Sequence, residues 1–295
     1  MADKSNIEWT DATWNPVVGC SIVSPGCTNC YAMKMAARLQ KMNVSGGSNS
    51  NYLNHYDGTT QDSKSGAVWT GKVAIAPDKL FLKPLSWKRP RRIFVNSMGD
   101  LFHESIPDEW IDRALAVMAL CPQHTFQVLT KRAERMRDYC SALPSRSVAV
   151  AQAAVWLGVW DDPDGIAITV NDLIDRPLPN VWFGISAERQ NELDERWQYL
   201  RETPAAVRFV SMEPLLGPIY FRPAKPDWII IGGESGPHHR PMDPAWAAYL
   251  ITQCKSAGVA AFMKQMAGKA PIPPDLMIRQ FPKASPADQQ SSSAG

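Results

Sequence analysis

The chain has 295 residues, 45% of them hydrophobic and 20% charged, with 11 tryptophans. This composition excludes a disordered chain and a small disulfide-stapled domain, and the length suffices for a large core. Lys and Arg number 31 against 29 Asp and Glu, a net charge of +2, so any nucleic-acid contact must be a local patch.

The opening residues, Met1-Ala-Asp-Lys-Ser-Asn-Ile-Glu, hold no apolar core of the secretory type. No apolar stretch approaches the roughly 18–20 residues of a membrane helix. A cytoplasmic protein with reduced thiols and no membrane contact is therefore expected. A first strand falls near Trp14. Residues 43–65 are rich in Asn, Ser, Gly and Asp and predict a polar loop. The next strand is Arg92-Ile-Phe-Val-Asn-Ser. Pro107-Asp-Glu-Trp then opens a helix through Ile111, Leu115 and Met118, with proline and two acids suited to its positive end. Phe126-Gln-Val-Leu-Thr predicts a strand, with Thr130 capping a helix over 131–139. Residues 145–179 combine an apolar run with Asp161-Asp-Pro-Asp-Gly and suggest an inserted subdomain or lid.

Strands follow at Val181-Trp-Phe-Gly-Ile-Ser, Val207-Arg-Phe-Val-Ser-Met, Trp228-Ile-Ile-Ile-Gly-Gly and Ala260-Ala-Phe-Met-Lys-Gln. Helices are expected over 187–203 and from Asp243-Pro244 to just before Gly258. The strands are continuous apolar runs, as in sheets covered on both faces. Their alternation with helices gives an α/β fold class: six or seven parallel strands in a barrel or an open doubly wound sheet. Residues 1–268 form the domain. Residues 269–295 form a Pro/Ser-rich tail, with the last dozen residues expected to be disordered.

Three of the six cysteines cluster in Gly19-Cys20-Ser-Ile-Val-Ser-Pro-Gly-Cys27-Thr-Asn-Cys30-Tyr31, spaced C-x6-C-x2-C. Cys27 and Cys30 can share a soft metal centre, and Pro25-Gly26 can turn Cys20 back toward them. Three thiolates would leave one iron of a cubane open to a further ligand. Structural zinc with a distant fourth ligand, or buried free thiols, are the alternatives. Cys121, Cys140 and Cys254 sit in or beside helix patterns, as packing residues do.

Three cysteines after a first strand, followed by αβ units, resemble the radical S-adenosylmethionine (SAM) superfamily. More narrowly, the chain resembles a phage and mobile-element family defined by this motif. Trp9-Thr-Asp-Ala-Thr-Trp-Asn-Pro, Asn96-Ser-Met-Gly-Asp-Leu-Phe-His, Leu129-Thr-Lys-Arg, Ser211-Met-Glu-Pro-Leu-Leu-Gly-Pro, Gly232-Gly-Glu-Ser-Gly and Lys264-Gln265 carry the resemblance. Two departures stand out: the first spacing is six rather than three, and Asn29 replaces the usual aromatic before the last cysteine. The resemblance implies a partial (β/α) barrel with a 4Fe-4S cluster on Cys20, Cys27 and Cys30 at its mouth. SAM would bind the open iron, and flavodoxin or ferredoxin would supply the electron.

Polar residues at the strand ends become candidate ligands. Ser97, Gly99 and Asp100 resemble the superfamily segment that meets the SAM amino group, Asp100 as acceptor and Gly99 for close approach. Lys131 and Arg132 suit a carboxylate, and Ser186 and Glu188 suit a ribose. Glu213 and Glu234 end apolar strands and are candidate catalytic acids, with Lys264 or Gln265 as partner. His103, His238 and His239 are weaker candidates. Trp87, Lys88, Arg89, Arg91 and Arg92, with Lys79 and Lys83 nearby, could hold phosphates and stack a base.

The function that follows is a radical SAM enzyme acting on a modified nucleobase in phage DNA, inside the host cytoplasm. One such reaction moves a glycyl group on thymidine from a nitrogen to a carbon attachment. The alternatives are a photoproduct-lyase-like repair enzyme, a non-enzymatic zinc or iron–sulfur nucleic-acid-binding module, and a cysteine redox protein.

Overall fold

Seven apolar runs become one parallel sheet: β1 (Ala12–Trp14), β2 (Arg92–Val95), β3 (Thr125–Thr130), β4 (Val181–Ser186), β5 (Val207–Met212), β6 (Trp228–Gly232) and β7 (Ala260–Gln265). The structure is a computed structural model describing residues 5–44, 53–64, 66–221, 225–236 and 238–282. Neighbours in space follow chain order from β1 to β7. A doubly wound sheet would reverse direction partway, so this order decides for a singly wound sheet curled into a half-barrel. All seven strand ends lie on one rim.

Helix α1 (Tyr31–Val44) follows the first strand and packs on residues 54–63 and 66–69, while the outer layer holds α2 (Asp108–Ala119), α3 (Ala133–Ser141), α4 (Leu143–Trp156), α5 (Pro163–Ile174), α6 (Gln190–Glu202) and α7 (Pro244–Ala257). The caps of α7 are as expected: Asp243 accepts from the Ala245 N–H at 2.8 Å, and Gly258 stops the helix at φ 67°. Thr130 does not cap α3. Its hydroxyl donates to Asp100 at 2.6 Å and accepts from the Arg132 N–H, tying two strand ends together.

Strand side chains alternate between two cores. Ile93, Val95, Phe126, Val128, Phe183 and Ile185 face the helices. Phe94, Trp182, Phe209, Trp228 and Phe262 face the concave side, where they pack with Trp9 into an aromatic plug. Trp228 meets both Trp9 and Trp182 edge-on with ring centres 6.0 Å apart. Gly184 makes room for this plug, because a Cβ there would fall 2.5 Å from the Phe209 ring.

Three expectations change. The 145–179 segment is not a lid: α4 and α5 pack on each other and on α2. Buried Asp112 of α2 binds the segment in place, accepting from the Tyr139 hydroxyl of α3 and the Arg146 guanidinium of α4 at 2.7 Å. The polar stretch after α1 holds an antiparallel hairpin, Thr60–Ser63 with Gly66–Trp69. Trp69 and Tyr56 are buried with Met33 and Ala36 of α1, while residues 45–52 and 65 lie outside the described residues. The tail through Pro282 docks along β7: Met263 donates to Ile278 at 2.9 Å, Gln280 donates to Ala261, and Phe281 packs on Trp228. It covers the open sheet edge. The dozen residues expected to be disordered lie outside the described residues.

The Gly184→Ala substitution tests the plug. Overpacking of this kind costs about 1–3 kcal/mol, so the variant is expected to unfold at lower urea. Adding Phe209→Leu should recover part of the loss; additive losses in the double variant would refute the contact.

Candidate functional site

Cys20, Cys27 and Cys30 all line one cavity of about 160 Å³ at the carboxyl rim. The same cavity is lined by Asn96, Ser97, Gly99 and Asp100 after β2, by Thr130, Lys131 and Arg132 at β3, and by Ser186 at the end of β4. Gly19 and Gly99 bring the cysteine loop this close. They form a parallel bridge, and a Cβ on Gly99 would stand 2.9 Å from the Gly19 carbonyl oxygen.

Buried carboxylates pin the loop at three places. Asp100 accepts from the Phe102 and Lys131 N–H groups, each at 3.0 Å, from Thr130, and from Arg132 at 3.2 Å. Arg132 in turn reaches Cys20 Sγ at 3.4 Å and Ser21 Oγ at 2.6 Å. Glu188 is fully buried beneath the turn: it accepts from Ser24 at 2.7 Å and from Arg196 at 3.3 Å, and touches the Lys131 ammonium. Gly26 is required there, since a Cβ would fall 2.1 Å from the Glu188 carboxylate. Glu234 holds Asn29 at 2.9 Å and Arg240 at 2.6 Å. Asn29, which departs from the superfamily's aromatic, is thus the loop's third attachment.

These contacts reassign several candidates. Asp100, expected to receive an ammonium, already accepts four hydrogen bonds. Glu188 and Glu234 likewise bond to the cysteine loop, at Ser24 and Asn29. Glu213 pairs with Lys264 and accepts from Gln265 at 3.4 Å, the expected partnership, but neither Glu213 nor Lys264 lines the cavity. His103 is buried; its Nε2 meets Ser21 Oγ at 3.0 Å and its Nδ1 accepts from Ser105, which assigns the proton to Nε2. Burial lowers its pKa, with Arg132 adding to the effect, so the ring stays neutral.

The basic stretch is corrected most. Trp87 is buried and cannot stack a base. Arg91 lies over its ring at 4.8 Å, and Arg92 lies over Phe281 at 4.1 Å. Arg92 begins β2, so the stretch sits at the amino end of the sheet, away from the cysteines. Lys88 and Arg89 are exposed at that same far end. Ser24, Gly26, Asn29, Asn96, Arg196 and Arg240 were missed as site residues. Only Asn96 carried a usable signal, sharing the inward parity of Phe94 on β2.

The sulfur environments differ. Burial pushes the Cys20 thiol up to about 12, with Asp100 adding to the rise and Arg132 resisting it. Burial also raises Cys30, against N–H donation from Met33, Ala32 and the Trp69 indole. At Cys27 burial acts in the same sense but is outweighed. The Lys131 ammonium and the Val23 and Ser24 N–H groups hold this thiol below its ordinary value. Among the described residues, no three His, Cys, Asp or Glu side chains stand close enough to hold a single ion. A cubane engages each thiolate through a different iron, so its ligands need a wider spacing around a shared space. Three reduced thiols around one cavity, with cations and N–H donors beside them, fit that donor set.

If Asp100 is a structural post, Asp100→Ala leaves Arg132 buried beside an empty space and costs about 3 kcal/mol or more in denaturant unfolding. A loss below about 1 kcal/mol would return Asp100 to the pool of ligand contacts.

A family profile described as "Protein of unknown function (DUF5131)" matches residues 4–284. No curated protein and no solved structure matches. The profile spans all seven strands and the cysteine loop, and the chain belongs to the DUF5131 family.

Proposed function

We propose that the protein is a radical SAM enzyme whose 4Fe-4S cluster is held by Cys20, Cys27 and Cys30. The observation that supports this is the placement of all three thiols on one cavity at the carboxyl rim of a half-barrel. When bound and reduced by one electron, such a cluster with SAM supplies a 5′-deoxyadenosyl radical for hydrogen abstraction.

The chain's own residues supply position and surroundings. Lys131 and the backbone N–H groups at Val23 and Ser24 favour the thiolate at Cys27. Arg132 spans Cys20 and Asp100, so thiolate charge at Cys20 has a cation beside it. The aromatic plug fills the concave side of the sheet. Ser97 and Ser186 remain as polar cavity walls for SAM, while the acids once assigned to SAM hold the loop instead.

The substrate in this proposal is a modified base in DNA, with N-to-C migration of a glycyl group on thymidine as the reaction. The family resemblance supports it; the Trp87–Arg92 stretch does not. Contacts to DNA phosphates must then come from the rim. A flavodoxin or ferredoxin is the proposed electron donor.

Anaerobic reconstitution with iron and sulfide is expected to load about four irons per chain. Cys20→Ala, Cys27→Ala and Cys30→Ala should each lose the visible absorbance, whereas Cys121→Ala, Cys140→Ala and Cys254→Ala keep it. The reduced protein should release 5′-deoxyadenosine from SAM. Isolated protein that carries one zinc and takes up no iron would contradict the proposal.

A further inference from the structure

Asn96 is the first residue beyond β2, on the inward row one step above Phe94. It is 3% exposed and lines the cysteine cavity, yet among the described residues neither its Nδ2 nor its Oδ1 has a hydrogen-bond partner. Leaving buried polar atoms unpaired is costly, and such a group in a native fold calls for an explanation.

Local structure does not supply one. The Asn96 backbone is fully used: its N–H donates to the Trp14 carbonyl at 2.8 Å, and its own carbonyl accepts from Gly99 at 3.3 Å. The turn after it is held by another side chain, Asn15, whose Oδ1 accepts from Ser97 Oγ at 3.1 Å and from the Met98 N–H at 3.0 Å. The backbone at Asn96 has φ 60°, a left-handed conformation that glycine adopts with the least strain. A glycine would satisfy the fold and remove both orphaned atoms. Asparagine tolerates this backbone better than other side chains do, but the backbone conformation pairs neither carboxamide atom.

A carboxamide offers one donor beside one acceptor. Its complement is an edge that presents an acceptor beside a donor. The cavity it lines also has the aromatic and aliphatic side chains of Phe94, Trp69 and Leu129 among its walls, beside the polar groups already named. Flat apolar walls with one bidentate polar contact are how proteins read a base taken out of its stack.

We propose that Asn96 is the specificity-determining contact for the substrate, its carboxamide pairing with the donor–acceptor edge of a nucleobase held in the cysteine cavity. This rests on the reading of that cavity as the place where a base meets the cofactor.

The test is equilibrium binding of the four deoxynucleosides and of SAM to the iron-loaded full chain, with Asn96→Gly and Asn96→Asp compared with wild type. Asn96→Gly should melt no lower than wild type, because the left-handed backbone suits glycine and two orphaned atoms are gone. Its affinity for the preferred deoxynucleoside should fall at least tenfold, with SAM affinity within about threefold, since one lost bidentate contact is worth a factor of ten or more. Asn96→Asp, which replaces the donor with an acceptor, should change which deoxynucleoside is preferred. A lower melting temperature with unchanged nucleoside affinity would make Asn96 structural and overturn the proposal. Equal losses for SAM and nucleoside would assign it to the cofactor and overturn it as well. So would wild-type protein that cleaves SAM but binds no deoxynucleoside. Failure to take up iron would remove the radical SAM reading instead; the same nucleoside comparison made on the iron-free full chain then decides the base contact by itself.

Discussion

Everything at the rim depends on holding a loop with three thiols over the ends of seven strands. A polar loop has little apolar surface to bury, so packing alone cannot fix it. The chain uses buried carboxylates instead. Asp100, Glu188 and Glu234 stand after β2, β4 and β6; Glu188 meets Ser24 and Glu234 meets Asn29 directly, while Asp100 holds Arg132, which reaches Cys20 and Ser21. Buried carboxylates are costly unless each is paired and hydrogen-bonded, and here each is: with Arg132, with Lys131 and Arg196, and with Arg240.

The same arrangement shapes the chemistry of the sulfurs. Acids near thiols oppose their ionisation, and burial opposes it further. The paired cations reverse this at Cys27 and limit it at Cys20. Arg132 and Lys131 thus serve twice, neutralising the posts and facing the thiols. Small residues matter where the loop crosses the barrel: Gly99 against Gly19, and Gly26 against Glu188, each leave no space for a Cβ.

Much of the fold was legible because parallel strands covered on both faces are short, continuous and apolar. All six later strands lie where such runs occur. The doubly wound alternative could not be separated from a barrel by pattern, since both alternate strand and helix; strand order decides between them. The cysteine cluster was legible from spacing, and the three thiols do line one cavity. The roles of the acids were not: an acid ending an apolar strand looks the same in sequence whether it meets a ligand or a neighbouring loop. Glu188 shows this, since its partner Ser24 lies 164 residues away. The Trp87–Arg92 stretch misled for a related reason. Basic side chains beside aromatics read as a binding patch, whereas Arg91 and Arg92 cover rings of the fold itself. Asn96 shares the inward parity of Phe94, but no sequence pattern marks a carboxamide as lacking a partner.

The central claim is that the three cysteines present one cluster with an open coordination position toward the cavity. Electron paramagnetic resonance of the iron-loaded, chemically reduced protein tests it most directly, with spectra recorded before and after saturating SAM. The account predicts a reduced-cluster signal whose shape changes when SAM is added. A signal that SAM leaves unaltered would contradict it.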